Sequence, residues 1–313
     1  MRRNAALALV AGSILAAGRT AQAQAELPLV RIGTNAIDAL GEAYYGTESG
    51  IFRSAGLNTV VTTTPNGSTT AQAVIAGDLD VGLANIVTVA AGVAHGIPLQ
   101  MLAPAALYSA KHAYSALCVA KTATFASAKD LIGQTCAVST LNDFNQLGIE
   151  AWLEKNGVAV SKVKFVELKF AEMGAALQRG TVAAATISEP SLTAALNTGQ
   201  ARVFADVYTA IAPEFANIIW FTTKPWLQKN PDVAKRLVAG IFATARWANT
   251  HLPESAEIIA RVAKIDMPTV SGMRRAFFAT ASDPKYVQAP LDYAFRFGLT
   301  ARAVTTAEFI AQT

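Results

Sequence analysis

The chain has 313 residues, 52% hydrophobic and 15% charged, with a formal charge of +4. That apolar content excludes a disordered chain, and the absence of any Lys/Arg run interleaved with aromatics excludes a nucleic-acid partner. The roughly 290 residues that follow an N-terminal leader exceed what one core usually organises, so two lobes are expected.

The leader comes first. Met1-Arg2-Arg3-Asn4 precede an apolar run from Ala5 to Ala17, and small residues alternate in Ala21-Gln22-Ala23-Gln24-Ala25. This is the pattern of a cleavable secretory signal peptide over residues 1–25, cut after Ala23 or Ala25. The run of about a dozen residues falls short of the roughly 20 that span a bilayer, so a soluble mature protein is expected. No cysteine follows either cleavage site for lipid attachment, and the Arg2-Arg3 pair lacks the rest of a twin-arginine signal; release into the periplasm is the simpler expectation. Arg2, Arg3 and Arg19 leave with the leader while no acid does, so the 26 Lys and Arg fall to 23 against 22 Asp and Glu. The mature chain is nearly neutral.

After the leader, Leu29–Gly33 reads as a strand, followed by a helix rich in Ala and Tyr, a strand at Thr59–Thr63, a turn at Pro65-Asn66-Gly67 and a helix from about Ser68 to Ala76. Gly77 closes that helix as a C-terminal cap, and Leu79–Ala84 follows as a strand ending at Asn85. A hundred residues on, the order repeats. Thr135–Val138 leads into an amphipathic helix bearing Phe144, Leu147, Ala151 and Trp152, stopped by Asn156-Gly157. Strand Val163–Leu168, helix Glu172–Arg179, Gly180 and strand Val182–Ile187 complete the second unit. Laying Gly77 over Gly180 pairs Ala73 with Ala176, Val74 with Leu177, Leu79 with Val182, Asn85 with Ser188 and Ile86 with Glu189.

This rhythm predicts an α/β fold of two similar lobes with a cleft between them, because loops at the carboxyl ends of parallel strands face such a crevice. Ser115–Ala120 and Asn217–Phe221 are expected to carry the chain across and back, giving lobe 1 as 27–117 with 222–313 and lobe 2 as 118–221. After Asn230-Pro231 the pattern turns helical, with Val233, Leu237, Ile241 and Ala245 on one face, and this tail is assigned mainly to lobe 1. Cys118 and Cys136 are open to two readings, a disulfide or two buried thiols, because spacing alone does not show that the side chains meet.

Three stretches carry a resemblance: Ala71-Gln72-Ala73-Val74-Ile75-Ala76-Gly77-Asp78-Leu79-Asp80-Val81-Gly82, then Ala128-Lys129-Asp130-Leu131-Ile132-Gly133-Gln134, and Ala175-Ala176-Leu177-Gln178-Arg179-Gly180 ahead of Ser188-Glu189-Pro190. The chain resembles, over nearly its whole mature length, the periplasmic substrate-binding proteins of ABC importers, in the group that handles nitrate, sulfonates, taurine and thiamine-precursor pyrimidines. The resemblance implies a type II periplasmic-binding fold, lobe closure on a small-molecule ligand, and docking on a membrane permease with its ATPase. A monomer without a cofactor is expected.

Candidate ligand contacts lie at strand ends and helix starts. Gly67, Ser68 and Thr69 open one helix, where free N–H groups and the dipole favour an acceptor, although Ser68 or Thr69 also suits plain capping. Ser139, Thr140 and Asn142 open the helix of the other lobe with the same two readings. Asn35 and Asn85 sit at strand ends facing the crevice, or stabilise their own turns. Ser188 and Glu189 precede Pro190, so Glu189 either accepts from a ligand or serves a helix start. Phe170, with Tyr44, Tyr108 and Trp220, suits stacking on a flat ligand or core packing. Arg31 lies inside a strand and Arg179 near a helix end, so no arginine clamp for an oxyanion is evident, and the ligand stays open among organic acids, oxyanions and neutral or aromatic heterocycles.

No catalytic constellation emerges. His95, His112 and His251 are far apart and in no metal-ligand spacing, the cysteines have no C-x-x-C or nearby histidine, and neither a Ser-His-Asp order nor a phosphate loop is present. No enzyme and no metal are expected. The resembling fold also includes a pyrimidine synthase, but the cysteine-rich segment on which that enzyme depends is absent. A ligand sensor docking on a signalling receptor would use the same cleft and is not separable by sequence.

Overall fold

The computed structural model describes residues 26–312; the expected leader lies outside them. The strands in chain order are β1 (Leu29–Thr34), β2 (Asn58–Thr63), β3 (Val81–Asn85), β4 (Leu99–Pro104), β5 (Ala106–Ser109), β6 (Ser115–Ala120) and β7 (Thr135–Val138), then β8 (Lys164–Glu167), β9 (Ala184–Ser188), β10 (Ala201–Ala205), β11 (Glu214–Ala216), β12 (Ile218–Thr223) and β13 (Phe277–Phe278). They form two five-stranded sheets, β2-β1-β3-β12-β4 and β10-β6-β9-β7-β8, and a small third sheet, β11-β5-β13.

Read from opposite ends, the two large sheets have one plan. In each, a central pair of parallel contacts (β1 with β2 and β3; β7 with β8 and β9) is followed by an antiparallel strand and an antiparallel edge. The antiparallel strand of each sheet adjoins a crossing between the lobes: β6 follows the first, and β12 lies just after the second. The parallel pairs are joined through helices, Gly67–Ala76 between β2 and β3 and Phe170–Gln178 between β8 and β9, as parallel pairing requires. Both helices turn into the next strand through a glycine in the left-handed region, Gly77 at φ 82° and Gly180 at φ 71°, where a Cβ would be strained. The duplicated pattern of the sequence is therefore a duplicated topology.

The lobe boundaries expected at 117/118 and 221/222 fall inside β6 and β12. Each of these strands is hydrogen-bonded within one sheet along its length, so the chain changes sheet at 110–114 and again at 206–213, on either side of the small β11-β5-β13 sheet. Strand β3 also starts two residues later than its apolar run suggests. The Asp80 carboxylate is spent on Arg31, accepting from its backbone N at 2.7 Å, Nε at 3.0 Å and Nη2 at 2.7 Å, which ties the entry of β3 to the middle of β1.

Cys118 on β6 and Cys136 on β7 are free and buried. They flank β9, opposite Ala185 and Ala184 respectively, so two strand spacings, roughly 10 Å, separate their backbones. A disulfide needs less than about 7 Å between Cα atoms, and the two-thiol reading stands. Burial pushes both thiols up to about 12.

The tail is helical as its pattern predicts: Pro231–Thr250, Leu252–Ala263, Met267–Gly272 and Lys285–Arg296. Leu237, Ile241 and Ala245 are fully buried, and the first two of these helices pack on helix Glu42–Glu48 of the first lobe. Helix Met267–Gly272 instead touches helix Ser191–Asn197 of the second lobe. Among the described residues, no helix is long and apolar enough to cross a membrane.

One core contact carries a titration. Glu42, fully buried, accepts at Oε2 from Trp220 Nε1 at 2.6 Å, while Oε1 has no partner. Burial pushes its carboxyl up to about 8, against an ordinary value of 4.5. A carboxyl raised on folding stabilises fully below its unfolded value and loses that contribution as pH rises through the folded one. Urea unfolding followed from about pH 4.5 to 8 is expected to show stability declining, with Glu42→Gln, which mimics the protonated acid, giving a shallower slope. An unchanged slope in the variant would assign the decline to other groups.

Candidate functional site

A cavity of about 410 Å³ opens between the two large sheets, within the roughly 300–1,000 Å³ usual for small-molecule sites. Its walls are the carboxyl ends of the parallel strands of both lobes. Asn35 follows β1, Pro65–Ser68 follow β2 and Asn85 ends β3 on one side; Ser139 and Thr140 follow β7, Glu167 ends β8, Ser188 ends β9 and Glu189 follows it on the other. This is the crevice that strand direction dictates in α/β sheets.

On the first wall, Asn66 rather than Ser68 or Thr69 caps helix Gly67–Ala76. Its Oδ1 accepts from Thr69 N at 2.9 Å and Thr69 Oγ1 at 3.0 Å, which leaves Ser68 directed at the cavity and takes Thr69 out of its lining. Asn35 Nδ2 donates to Pro65 O at 2.8 Å, holding the loops after β1 and β2 together. Asn85 lines the cavity and also caps helix Ile86–Ala94, its Oδ1 accepting from Thr88 N at 2.9 Å.

On the second wall the cap of helix Phe144–Lys155 is Asp143, not Ser139 or Asn142. Asp143 Oδ1 accepts from Asn145 N at 2.8 Å and Gln146 N at 3.3 Å, and Ser139 Oγ donates to Oδ2 at 3.2 Å. A full carboxylate serves the helix dipole better than a hydroxyl, which explains the displacement. Burial pushes the Asp143 carboxyl up to about 6 despite these bonds. Asn142 is turned away: it has φ 58°, its N donates to Gln146 Oε1 at 2.9 Å, and it does not line the cavity. Glu189 accepts from Thr193 N at 2.9 Å on Oε2, and from Thr193 Oγ1 at 2.9 Å and Arg274 N at 3.2 Å on Oε1. Its carboxyl is raised by burial. Ser188 shares a hydrogen bond with the Ser115 hydroxyl.

The floor lies where the lobes join. Asn217 Nδ2 donates to Tyr114 Oη at 3.0 Å, and Asn217 Oδ1, on a residue 8% exposed, has no partner. The segment Arg274–Ala276 is not in the lining but bonds two lining residues, Glu189 and Asp38. Arg275 donates to Asp38 Oδ1 from Nε at 3.0 Å and Nη2 at 2.8 Å, Tyr45 Oη donates to the same oxygen, and Ala276 N donates to Oδ2 at 2.7 Å.

Of the residues singled out by sequence, the structure brings Asn35, Gly67, Ser68, Asn85, Ser139, Thr140, Phe170, Ser188 and Glu189 to the cavity and leaves out Thr69 and Asn142. Tyr44 is buried and bonded to Thr63, while Tyr108 and Trp220 are fully buried in the core. Asp38, Asn66, Tyr114, Asp143 and Asn217 were missed. Asn66 and Asp143 carry a readable signal, a cap residue immediately before a helix, whereas Asp38, Tyr114 and Asn217 meet the site only through long-range packing. Among the described residues no cluster of three or more His, Cys, Asp or Glu is placed to hold a metal.

Solved structures similar to this chain share its fold. The aliphatic sulphonate binding protein SsuA of Escherichia coli has a TM-score of 0.75 at 18% identity, covering 91% of this chain and 92% of that one. The nitrate-binding protein NrtA of Synechocystis PCC 6803 has a TM-score of 0.72 at 14% identity, covering 89% and 84%. The desulfurization enzyme DSZB has 0.67 at 15%, covering 91% and 96%. The architecture is thus the periplasmic-binding-protein fold, a cleft between two α/β lobes. A family model described as NMT1/THI5 like matches residues 40–256, and the chain belongs to that family. Among curated protein sequences none matches.

Arg275 is 13% exposed at its side chain and Asp38 1%, so the pair is largely withdrawn from water. Arg275→Met, which keeps the aliphatic stem but strands the carboxylate, is expected to cost about 3–5 kcal/mol in urea unfolding. A loss below about 1 kcal/mol would class the pair with exposed ones.

Proposed function

We propose that this protein is a periplasmic solute receptor that captures a small molecule in the interlobe cavity and delivers it to the permease and ATPase of an ABC importer. The observation that carries the reading is the convergence of strand ends and helix starts from two topologically equivalent lobes on one cavity lined by both polar and apolar side chains. The family membership, the fold shared with the sulphonate- and nitrate-binding proteins, and the leader pattern at 1–25 support the same reading. The lobes act as two bodies that close over the ligand, with the crossings at 110–114 and 206–213 as hinges. The receptor acts as a monomer.

A binding role is favoured over turnover by the lining. No histidine or cysteine borders the cavity, and the Ser188 hydroxyl is paired with another hydroxyl rather than with a base. The likeness to a desulfurization enzyme shows the fold alone.

The test is a thermal-shift screen of the purified protein with sulfonates, nitrate, taurine, aromatic acids, amines and pyrimidines, followed by small-angle scattering with the best compound. A ligand at 100 times its Kd adds about 2.7 kcal/mol, a readily visible shift. Stabilisation, a smaller radius of gyration on binding and recovery of the compound unchanged are expected. Chemical conversion of the compound, or scattering identical with and without saturating ligand, would sink the receptor reading.

A further inference from the structure

We infer that the cavity selects an organic cation, an ammonium or amidinium on a small apolar body, and rejects simple oxyanions, with Asn217 as a specificity-determining residue. The inference rests on the receptor reading and narrows its ligand.

Three observations converge. First, two helix starts of the second wall are already filled by the chain itself, while the start of helix Phe170–Gln178, beside Lys169, has no side-chain cap. The start of helix Phe144–Lys155 holds the Asp143 carboxylate, and Thr193 N, at the start of helix Ser191–Asn197, donates to the Glu189 carboxylate. An oxyanion entering there meets carboxylate oxygens instead of free amides. On the first wall, Thr69 N and Thr88 N are taken by Asn66 and Asn85, and Ile86 N donates to Asn217 O at 2.9 Å.

Second, the charge of the lining is acidic. Among the described residues, Asp38, Asp143, Glu167 and Glu189 border the cavity against one cation, Lys169, and Arg275 cancels only Asp38. Among the described residues no arginine lines it, so the bidentate fork that suits a sulfonate or carboxylate is missing there.

Third, the floor presents an acceptor in need of a donor. Asn217 Oδ1 is buried and unpartnered while its amide nitrogen is fixed on Tyr114. An unmet buried acceptor costs free energy that a ligand N–H recovers, and a charged donor recovers most. Apolar side chains of Ile37, Leu40, Phe170 and Ile218 border the same space and accommodate the body of such a ligand.

Three probes of one ring size separate the possibilities: benzamidine, benzoate and benzenesulfonate, titrated calorimetrically into the purified protein at low salt and neutral pH. Benzamidine is expected to bind at least about tenfold more tightly than either anion, and Asn217→Leu to lose about tenfold for benzamidine. Should Asn217→Leu fail to fold, Asp143→Asn keeps a capping side chain and is expected to weaken benzamidine and strengthen benzoate. Tighter binding of benzoate or benzenesulfonate overturns the inference and leaves the receptor reading intact. Binding of none of the three also overturns it, and native mass spectrometry of protein purified without unfolding then judges the receptor reading separately, by whether a small molecule travels with it.

Discussion

Asp38 sits 1% exposed at its side chain between the first lobe and the helical tail, and a carboxylate in that position persists only because every oxygen is served. Arg275 grips one oxygen twice, Tyr45 adds a third donor to it, and Ala276 N takes the other. Charges this far from water are tolerated when paired and fully hydrogen-bonded, and their geometry is then sharply defined. The consequence reaches beyond the pair. With Arg275 and Ala276 anchored to the first lobe, the neighbouring Arg274 N is held where it bonds Glu189 of the second, at 3.2 Å, and Arg274 Nη1 reaches Ala113 O in the first crossing at 3.4 Å. One short segment of the tail therefore touches both walls and the hinge.

The duplicated topology sets the rest of the site. Because each lobe places three parallel strands side by side, each brings three carboxyl ends to one edge, and two such edges facing each other make a cleft lined by backbone termini and short polar side chains. The lobes differ in how they finish their helix starts. The first uses neutral Asn66 and Asn85, the second uses charged Asp143 and the acid Glu189. A symmetric scaffold thus becomes an electrically asymmetric cavity, and the asymmetry comes from cap chemistry rather than from added ligand-binding loops.

Membership of the NMT1/THI5-like family and the periplasmic-binding-protein fold leave wide latitude in chemistry, since solved proteins of this shape include sulphonate and nitrate binders and an enzyme. What distinguishes them must lie in side chains at the strand ends. Here those side chains offer acceptors at the floor and on one wall, with a single lysine as the cationic side chain of the lining among the described residues.

The α/β order, the two equivalent units, the glycines that end their helices and most strand-end contacts were legible in the sequence, because apolar periodicity, turn chemistry and strand direction are local properties that act through neighbours in the chain. Where local rules competed, they misled by a few residues: Ser68 and Ser139 looked like caps, but Asn66 and Asp143 were better placed to reach the free amides, and β6 and β12 read as connectors although both are interior strands. Only the tertiary structure could decide that Cys118 and Cys136 flank β9 and stay apart, that Asp38 finds Arg275 across 237 positions of chain, and that Asn217 and Tyr114 meet at the floor. Those pairings depend on how two sheets and a helical tail dock, and no periodicity along a single segment encodes the distance between residues that far apart.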